Sequence, residues 1–410
     1  MNILIVNQPL NNRGDESAHK GLVRRLSKQY PKAEINVLFV SANQDSVNQF
    51  NPHLDNVHYL NIQEKYKFHR FSIPVVKSGR HYMWKIHPVM RKIMKLYKRA
   101  DLVVCAPGGI CMGGFQNWKH LFFLDIAKYL GKKIAYYGRS FGPFPTESKD
   151  NKLFRKISLL MLDYFSFCSI RDSKTEALAK QLNVKYIPTV DSAFLDSPQV
   201  DIPCEILDVL ENKPYVVFVP NLLIWHYAYK NRIKKETVLY YFSRILDEIN
   251  SVYPEENVVM LPQTFNYGNY RGDDINFFRD LSTYVKKDNL KIIPDTYSSD
   301  IQQAIISKSN CMIGARYHSI VFALNQSVPF VALSYEHKIS GLLESLGKKD
   351  CMIDITHALD NQRAIDASIL DFKLILKKVK PDFRACEKAK SIANNCFLEL
   401  TKFIKNTYDQ

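Results

Sequence analysis

Short apolar segments that alternate with amphipathic ones are the feature that most limits what this chain can fold into. The segment "NILIVN" precedes a polar loop and the amphipathic "AHKGLVRRLSKQY", an order that predicts a strand, a loop and a helix. "ADLVVCAPGGI", "WKHLFFLDIAKYLG" and "KKIAYYGRSFG" repeat this order later in the chain. Strands that alternate with helices predict a parallel sheet with helices on both of its faces.

The alternation begins again after a polar passage that contains proline. The segments predicted as strands in this second series are "YVVFVPN", "NVVMLPQ", "LKIIPD", "CMIGARYH" and "VPFVALSY". A chain of 410 residues is longer than one hydrophobic core usually organises. We therefore expect an α/β protein with two Rossmann-like, doubly wound domains that face a central cleft. The predicted parts are a first domain at 1–195, a linker at 196–213, a second domain at 214–375, and a helical segment at 376–410 that could cross back to the first domain.

The charge balance indicates an anionic partner. The chain has 56 Lys and Arg against 41 Asp and Glu, a formal net charge of +15. Nucleic acid, phospholipid and phosphorylated metabolites would all suit such a charge. The first residues lack the pattern of a signal peptide, and no apolar run reaches the roughly 18 residues of a membrane span. We expect a cytoplasmic protein, with a peripheral position at the inner face of the cytoplasmic membrane left open.

Two loops that follow predicted strands suit ligand binding, because ligands bind outside the carboxyl ends of the strands in doubly wound sheets. In "NNRGDES", Gly14 can bring the backbone close to a ligand, while Asp15 or Ser17 caps the following helix. In "APGGICMGG", the backbone N–H groups around Gly108 and Gly109 could hold an anion or a sugar. This loop is not a G-x-G-x-x-G motif and no P-loop lysine follows it, so it is a weak nucleotide fingerprint.

Charged residues follow two further predicted strands of the first domain. Arg171 and Asp172 stand in "SIRD", and Asp191 stands in "TVDSAF". Arg171 could reach the cleft while Asp172 caps a helix. The alternative is that these residues form only an ion pair and a helix cap.

The segment "GARYHSIVFAL" is the sharpest candidate for chemistry. Arg316 and His318 stand between a predicted strand and an apolar helix, so both could project at a helix N-terminus, which favours anions. The planar guanidinium group of an arginine can bind a carboxylate or a phosphate through a fork of two parallel hydrogen bonds. A nearby His can transfer protons near neutral pH. A single His is more often structural, but here it is paired with Arg. The later "SYEHK" would bring Tyr335, Glu336 and Lys338 to the same cleft.

Residues 65–99 form a basic segment. It contains eleven Lys or Arg and no Asp or Glu. This composition suits an anionic membrane surface, and it would also suit single-stranded nucleic acid. A solvated basic face with some core aromatics is the plain alternative. We favour the membrane and expect no nucleic acid partner, because the chain has no recognisable nucleic-acid module. The interleaved aromatic residues are Tyr66, Phe68, Phe71, Tyr82, Trp84 and Tyr97.

Several of these segments, taken in order, resemble the polysaccharide pyruvyl transferase family. The resemblance runs from residue 3 to about residue 347. It implies a GT-B-like pair of Rossmann-type domains that uses phosphoenolpyruvate to place a pyruvate ketal on a sugar, in the synthesis of a bacterial surface polysaccharide such as a capsule or exopolysaccharide. The segments are "NNRGDES", "APGGICMGG", "GRSFGPF", "SIRD", "VDSAF", "GARYHSIVFAL" and "VPFVALSYEHKISG".

The resemblance also implies roles for individual residues. The R-x-H pair, here Arg316 and His318, is a substrate-binding and catalytic element, and the strand-end Arg171 is expected to meet the anionic groups of the donor. The chain departs from many relatives in "GRSFGPF", where Arg139 and Phe141 replace small or aliphatic residues. The acceptor preference therefore stays open.

Phosphoenolpyruvate carries a carboxylate and a phosphate, so we expect Arg316 and Arg171 to bind it, helped by Lys338. His318 is the candidate proton donor, and Asp15 or Glu16 is the candidate base toward the sugar. Because the Arg residues can stabilise the departing phosphate, the scheme requires no metal or other cofactor. The acceptor would be a hexose such as galactose, either free or linked to polyprenyl diphosphate. The predicted acceptor-binding residues are Gly14, Asp15, Glu16, Gly108, Gly109, Asp191, Tyr335 and Glu336.

Two other functions remain open at this point. A nucleotide-sugar glycosyltransferase could use the same two-domain fold, because a fold does not determine a reaction. A non-catalytic subunit of a polysaccharide assembly complex is the second alternative, and the Arg-x-His pair argues against it.

Overall fold

The chain forms two compact units. The computed structural model describes residues 1–64, 69–114, 116–226, 229–230, 232–265, 273–294 and 296–408. The first unit comprises residues 1–10, 18–196 and 392–410, and the second comprises residues 11–17 and 197–391. Residues 11–17, which were predicted to lie in the first domain, join the second unit, and residues 392–410 of the C-terminal helical segment join the first.

The first unit is built on a parallel sheet of seven strands. Their order is β3-β2-β1-β4-β6-β8-β9, so the chain runs outward from β1 in one direction and then in the other, as in Rossmann-like sheets. A separate two-stranded parallel sheet pairs β5 with β7. The strands are β1 (Asn2–Val6), β2 (Glu34–Val40), β3 (Val57–Ile62), β4 (Leu102–Cys105), β5 (Gly108–Met112), β6 (Lys133–Tyr136), β7 (Arg139–Phe141), β8 (Phe167–Ile170) and β9 (Ile187–Pro188).

α1, α3, α4 and α6 of this unit are amphipathic, whereas α5 is buried on all sides through residues 120–127. β4 is buried along its whole length, which explains its uninterrupted apolar run in the sequence. Two short 3₁₀ segments occur at His81–Lys85 and Ser192–Leu195. The helices are α1 (Arg13–Gln29), α2 (Gln44–Phe50), α3 (His69–Ser78), α4 (Pro88–Arg99), α5 (Trp118–Tyr129), α6 (Lys149–Leu162) and α7 (Ser173–Gln181).

The second unit contains a parallel sheet of six strands in the order β12-β11-β10-β13-β14-β15. The order reverses between β10 and β13, which is where ligands bind in doubly wound sheets. The strands are β10 (Tyr215–Val219), β11 (Asn257–Met260), β12 (Leu290–Ile292), β13 (Met312–Gly314), β14 (Phe330–Ser334) and β15 (Met352–Asp354). The helices are α8 (Cys204–Val209), α9 (Lys235–Val252), α10 (Asp274–Val285), α11 (Ser299–Ser307), α12 (Tyr317–Asn325), α13 (His337–Leu346), α14 (Gln362–Leu376) and α15 (Phe383–Tyr408).

The predicted linker at 196–213 is not entirely irregular, because it contains α8. The helix α15 begins in the second unit, and its residues from Ile392 onward belong to the first. Of the helices in the described ranges, none is both long and apolar enough to cross a membrane.

The basic segment folds into α3, a 3₁₀ turn and α4, and two of its aromatic residues correct the prediction. Trp84 and Tyr97 are fully buried, and the Tyr97 hydroxyl donates a hydrogen bond to the Phe123 carbonyl over 2.7 Å. The helical period explains this for Tyr97, because it lies on the same side of α4 as the buried Ile93 and Met94. Lys65, Tyr66, Lys67 and Phe68 lie outside the described residues.

Candidate active site

The carboxyl ends of four neighbouring strands in the second unit carry a group of polar and aromatic side chains. Parallel strands end at the same edge of a sheet, so residues far apart in the sequence come together there. The residues are Asn221 and Trp225 after β10, Gln263 and Thr264 after β11, Arg316 after β13, and Tyr335 and Glu336 after β14.

Arg316 is held at this edge by a buried carboxylate. One guanidinium nitrogen pairs with Asp274 and donates to the Thr264 hydroxyl over 3.1 Å. The other oxygen of Asp274 accepts the backbone N–H groups of Gln263 and Thr264 at 2.9 and 3.0 Å. The guanidinium carbon also lies 5.9 Å from the centre of the Trp225 ring, within cation–π range. Arg316 is therefore oriented by the loop after β11, by α10 and by Trp225.

Arg316 also stands at the N-terminus of α12, and Glu336 stands at that of α13. Within the described chain, neither residue caps its helix with its own side chain. The two helices follow adjacent strands, so their partially positive N-terminal ends open at the same edge of the sheet. A cationic side chain beside such helix ends is suited to an anionic ligand.

His318 lies in the first turn of α12 and packs directly against Gly14. A Cβ atom at Gly14 would lie 1.8 Å from Cγ of His318, so a larger residue does not fit there. The sequence predicted that Gly14 lets the backbone approach a ligand. In the structure it makes room for the His318 ring, whose residue is 8% exposed. The loop after β1 and the Arg-x-His segment therefore meet within the second unit.

The start of α1 is capped differently from the prediction. The Asn12 side-chain oxygen accepts the N–H groups of Gly14 and Asp15 at 2.7 and 3.3 Å. Neither Asp15 nor Ser17 is the cap, because the helix begins at Arg13, two residues before Asp15. Asp15 is half-buried in the first turn, and its role as base stays a prediction.

Glu16 has a structural position that corrects its assignment to the acceptor. One carboxylate oxygen forms an ion pair with Arg13 over 2.8 Å, and the other accepts the Ser299 N–H over 3.2 Å at the start of α11. The residue is fully buried. Arg13 is also fully buried, with its guanidinium 4.1 Å from the centre of the Phe265 ring. Glu16 therefore joins two helices and is not placed to meet a sugar.

Tyr335 is also structural and is removed from the predicted acceptor set. The residue is buried, and its hydroxyl accepts a hydrogen bond from the Asn221 amide over 2.9 Å. The same Asn221 accepts one from the Trp225 indole over 3.1 Å. Burial raises the pKa of the Tyr335 hydroxyl, which therefore stays protonated. The role of this side chain is to hold Asn221, which in turn holds Trp225 beside Arg316.

Glu336 and Lys338 face each other next to His226. The Lys338 ammonium lies 3.5 Å from the Glu336 carboxylate, and the same oxygen lies 4.0 Å from Nε2 of His226. Burial lowers the pKa of His226, and the Glu336 carboxylate opposes that shift. The structure thus brings Lys338, Glu336, Arg316 and His318 to one edge of one sheet. Their roles in donor and acceptor binding stay predictions.

The charged strand-end residues of the first unit form an ion pair. Arg171 pairs with Asp191, and both are buried. Asp191 also accepts the Ala193 N–H over 3.0 Å and so caps a 3₁₀ turn, while Asp172 caps α7. This is the alternative that the sequence left open, and it removes Asp191 from the acceptor set. The donor role of Arg171 stays a prediction.

The glycine-rich loop of the first unit is a strand rather than an open anion site. Gly108 and Gly109 begin β5, and the Arg139 guanidinium donates to the carbonyls of Ala106 and Gly109 at 2.6 and 3.3 Å. A Cβ atom at Gly108 would lie 3.1 Å from that guanidinium. Arg139 is fully buried, and its guanidinium packs against Gly108, where a side chain would be crowded. Gly108 is therefore corrected to a packing role, whereas the acceptor role of Gly109 stays a prediction.

Some residues of the site were not predicted from the sequence. Asn221 is the last residue of the predicted strand "YVVFVPN", Trp225 lies four residues later, and Thr264 directly follows "NVVMLPQ". The strand-end rule could therefore have identified them. Arg13 and Asp274 had no such signal, since each begins a helix and its partner is known only from the fold. In the ranges that the structure describes, no group of three His, Cys, Asp or Glu side chains could hold a metal ion.

Comparison with known sequences identifies the family. A sequence model described as polysaccharide pyruvyl transferase matches residues 12–337, from the cap of α1 to the first residue of α13. The chain belongs to the polysaccharide pyruvyl transferase family. As a member, it is a transferase of polysaccharide synthesis. The amylovoran biosynthesis protein AmsJ from Erwinia amylovora is 22% identical over 321 residues, which cover 75% of this chain and 74% of AmsJ.

Solved structures are similar to this chain in fold alone. A UDP-GlcNAc 2-epimerase from Methanocaldococcus jannaschii has a TM-score of 0.58 at 12% identity, with 98% of this chain and 100% of that chain covered. A sucrose-phosphate synthase from Thermosynechococcus elongatus has a TM-score of 0.52 at 10% identity, with 100% and 99% covered. Both have the GT-B fold, so the predicted fold class of two Rossmann-like domains is confirmed.

Proposed function

We propose that this pyruvyl transferase family member moves the enolpyruvyl group of phosphoenolpyruvate onto two hydroxyls of a sugar. The products would be a pyruvate ketal and phosphate. The observation that carries the proposal is the placement of Arg316 and His318. One is fixed by Asp274 and the other is packed on Gly14, and both stand at the N-terminus of α12. An oriented cation beside a proton-transferring group is what this reaction needs.

The anionic donor would bind at the ends of α12 and α13. The Arg316 fork would hold the carboxylate or the phosphate by two parallel hydrogen bonds, and the helix N-termini would add backbone N–H donors. Lys338 would neutralise further charge, since its ammonium can exchange the Glu336 carboxylate for the donor. Arg171 remains a proposed donor contact that would have to leave its pair with Asp191.

The transfer would proceed in two additions. His318 would give a proton to the methylene carbon of phosphoenolpyruvate, which makes the central carbon electrophilic. One sugar hydroxyl would add to that carbon and lose its proton to a base, for which Asp15 is our candidate. Phosphate would then leave with the electrons of its C–O bond, stabilised by Arg316, and the second hydroxyl would add and lose its proton to close the ketal.

The acceptor in this proposal is a hexose such as galactose, in a bacterial surface polysaccharide. The name of AmsJ, a protein of amylovoran biosynthesis, supports a polysaccharide acceptor. The acceptor could be carried on polyprenyl diphosphate.

The test is incubation of the purified protein with phosphoenolpyruvate and a panel of free and lipid-linked hexosides. Phosphate release and the mass of each sugar would be followed together. We expect one acceptor to gain the mass of a pyruvate ketal, with one phosphate released for each ketal. His318→Gln should abolish the gain and still bind phosphoenolpyruvate, because it retains the size of the side chain but cannot transfer the proton in the same way.

Donor binding separates this proposal from the glycosyltransferase alternative, and calorimetry with each donor would measure it. Binding of a nucleotide sugar, with no heat from phosphoenolpyruvate, would reject the proposal. If Arg316→Ala left the rate of transfer unchanged, Arg316 would not belong to the active site. That result would reject the assigned site and would leave the proposed reaction standing.

A further inference from the structure

The solvent side of α4 is a continuous basic surface. Five exposed residues, Arg91, Lys92, Lys95, Lys98 and Arg99, form what we call the α4 basic face. At 100° per residue they fall within roughly one third of the helix circumference. The opposite side is packed in the core of the first unit, so the basic face points away from it. The buried residues are Met90, Ile93, Met94 and Tyr97.

Acidic side chains of the described residues do not neutralise the charges of this surface. Within the part of the chain that the structure describes, no residue of the α4 basic face forms an ion pair. The sequence supplies no acidic residue between Lys65 and Ala100. By contrast, Lys77 of the neighbouring α3 pairs with Asp150 over 2.5 Å. An array of five cations along about 12 Å of helix therefore faces solvent without an acidic partner among the described residues.

Two large apolar side chains stand just before this helix. Tyr82 is 62% exposed and Ile86 is 70% exposed, in and directly after the 3₁₀ turn that precedes α4. Lys85, between them, is also exposed. Exposed apolar and aromatic side chains beside clustered Lys and Arg are typical of proteins that rest on an anionic membrane interface.

We propose that the α4 basic face binds the surface of an anionic membrane, with Tyr82 and Ile86 inserted among the lipid headgroups. Charge complementarity determines the choice of partner. A single-stranded nucleic acid also attracts cations, but it requires aromatic rings on which bases can stack. Trp84 and Tyr97, which the sequence placed among the cations, are fully buried, so Tyr82 is the one exposed ring among the described aromatic residues of the segment. A single ring cannot stack successive bases along a strand. The α4 basic face belongs to the first unit, whereas Arg316 and His318 belong to the second.

The test is sedimentation of the full-length protein with lipid vesicles. The vesicles would be phosphatidylcholine alone or phosphatidylcholine with about one third phosphatidylglycerol, at low salt and at roughly 0.5 M salt, where screening is strong. We expect binding only to the anionic vesicles at low salt. The triple variant Lys92→Glu, Lys95→Glu, Lys98→Glu should weaken that binding at least tenfold, with an unchanged circular dichroism spectrum because all three side chains are exposed.

A matched control distinguishes the effect of the α4 basic face on vesicle binding from the effect of the total net charge. The triple variant Lys174→Glu, Lys180→Glu, Lys185→Glu changes the net charge by the same amount at exposed positions of the same unit. It should retain vesicle binding within about threefold. Equal weakening by both triple variants would overturn the proposal. Binding of mixed-sequence single-stranded DNA, without binding of anionic vesicles, would also overturn it and favour nucleic acid.

Insertion of the apolar side chains into the membrane can be measured separately, by fluorescence. In the Ile86→Trp variant, the indole at an exposed position should shift its fluorescence emission to the blue when anionic vesicles are added, because it enters a less polar region. Vesicle binding with no shift would overturn the insertion of this side chain.

Discussion

Gly14 is required by a neighbour rather than by its own backbone conformation. Gly14→Ala would place a methyl group 1.8 Å from the His318 ring, so the ring or the first turn of α1 must move. We expect the free energy of unfolding of the second unit to fall by about 1–3 kcal/mol, the usual range for overpacking, and transfer activity to fall with it. Urea unfolding and phosphate release would measure the two effects.

The double variant Gly14→Ala, His318→Ala is the control for this prediction. Removal of the ring should restore most of the lost stability, so the two changes should be non-additive. Additive losses would show that the methyl group clashes with something other than His318.

Arg316 is the residue whose shape, and not only its charge, should matter. Arg316→Lys retains a positive charge for Asp274 but removes the planar fork that binds a carboxylate or a phosphate through two bonds. We expect the dissociation constant of phosphoenolpyruvate to rise about 10- to 100-fold, as follows from the loss of one charge-assisted bond. Arg244→Lys, at a surface ion pair with Asp366, is the matched control and should bind as the wild type does. Unchanged donor binding in Arg316→Lys would remove the fork from the proposal.

At the scale of elements, Glu16 joins the start of α1 to the start of α11. Glu16→Gln would leave the buried Arg13 without its carboxylate and α11 with a weaker acceptor for the Ser299 N–H. We expect the free energy of unfolding to fall by about 3–5 kcal/mol, because the negative member of a buried ion pair is removed. Chemical denaturation would measure this loss.

The control for Glu16 is Glu344→Gln, at an exposed ion pair with Lys349 in the same unit, which should unfold as the wild type does. If Glu16→Gln retained full stability and lost only sugar binding, Glu16 would return to the acceptor set.

Element order was largely predictable from the sequence, whereas contacts between elements were not. The strands "NILIV", "YVVFV" and "FVALS" appear where the apolar runs predicted them, because a strand buried on both faces must be apolar throughout. β15 is only three residues long and escaped prediction. The pairing of Arg139 with the carbonyls around Gly109 also escaped it, because 30 residues separate the partners and no local pattern joins them.

At the scale of the whole molecule, buried histidines should make the protein sensitive to acid. His19 is fully buried, and burial lowers its pKa from 6.5 to about 3, with the charge of Lys20 as a smaller cause. As the pH falls, the unfolded chain takes up this proton before the folded chain does. The stability contributed by neutral His19 is therefore complete above about pH 6.5 and is lost as the pH falls below it.

The expected size is about 2 kcal/mol of stability lost through His19 between pH 7 and pH 5. Urea unfolding at several pH values would measure it, and His19→Gln should flatten the profile by that amount. His58→Gln, at an exposed position of the same unit, is the matched control. A His19→Gln profile as steep as that of the wild type would assign the acid sensitivity to other groups, such as the buried His120.

The sequence alone determined that this protein is a two-domain α/β protein, because local apolar patterns follow from the covalent order of residues. It also predicted that the chemistry takes place at strand ends, because strand-end loops follow from the same order. The family resemblance in the R-x-H segment was also present in that order. The tertiary structure decided which strand-end residues are available to bind a ligand. Arg316 remains at the site because Asp274 orients it, whereas Glu16, Asp191, Tyr335 and the Gly108 loop are occupied by partners inside the fold. Only the fold brings such partners within hydrogen-bond distance, and a buried polar group must find one.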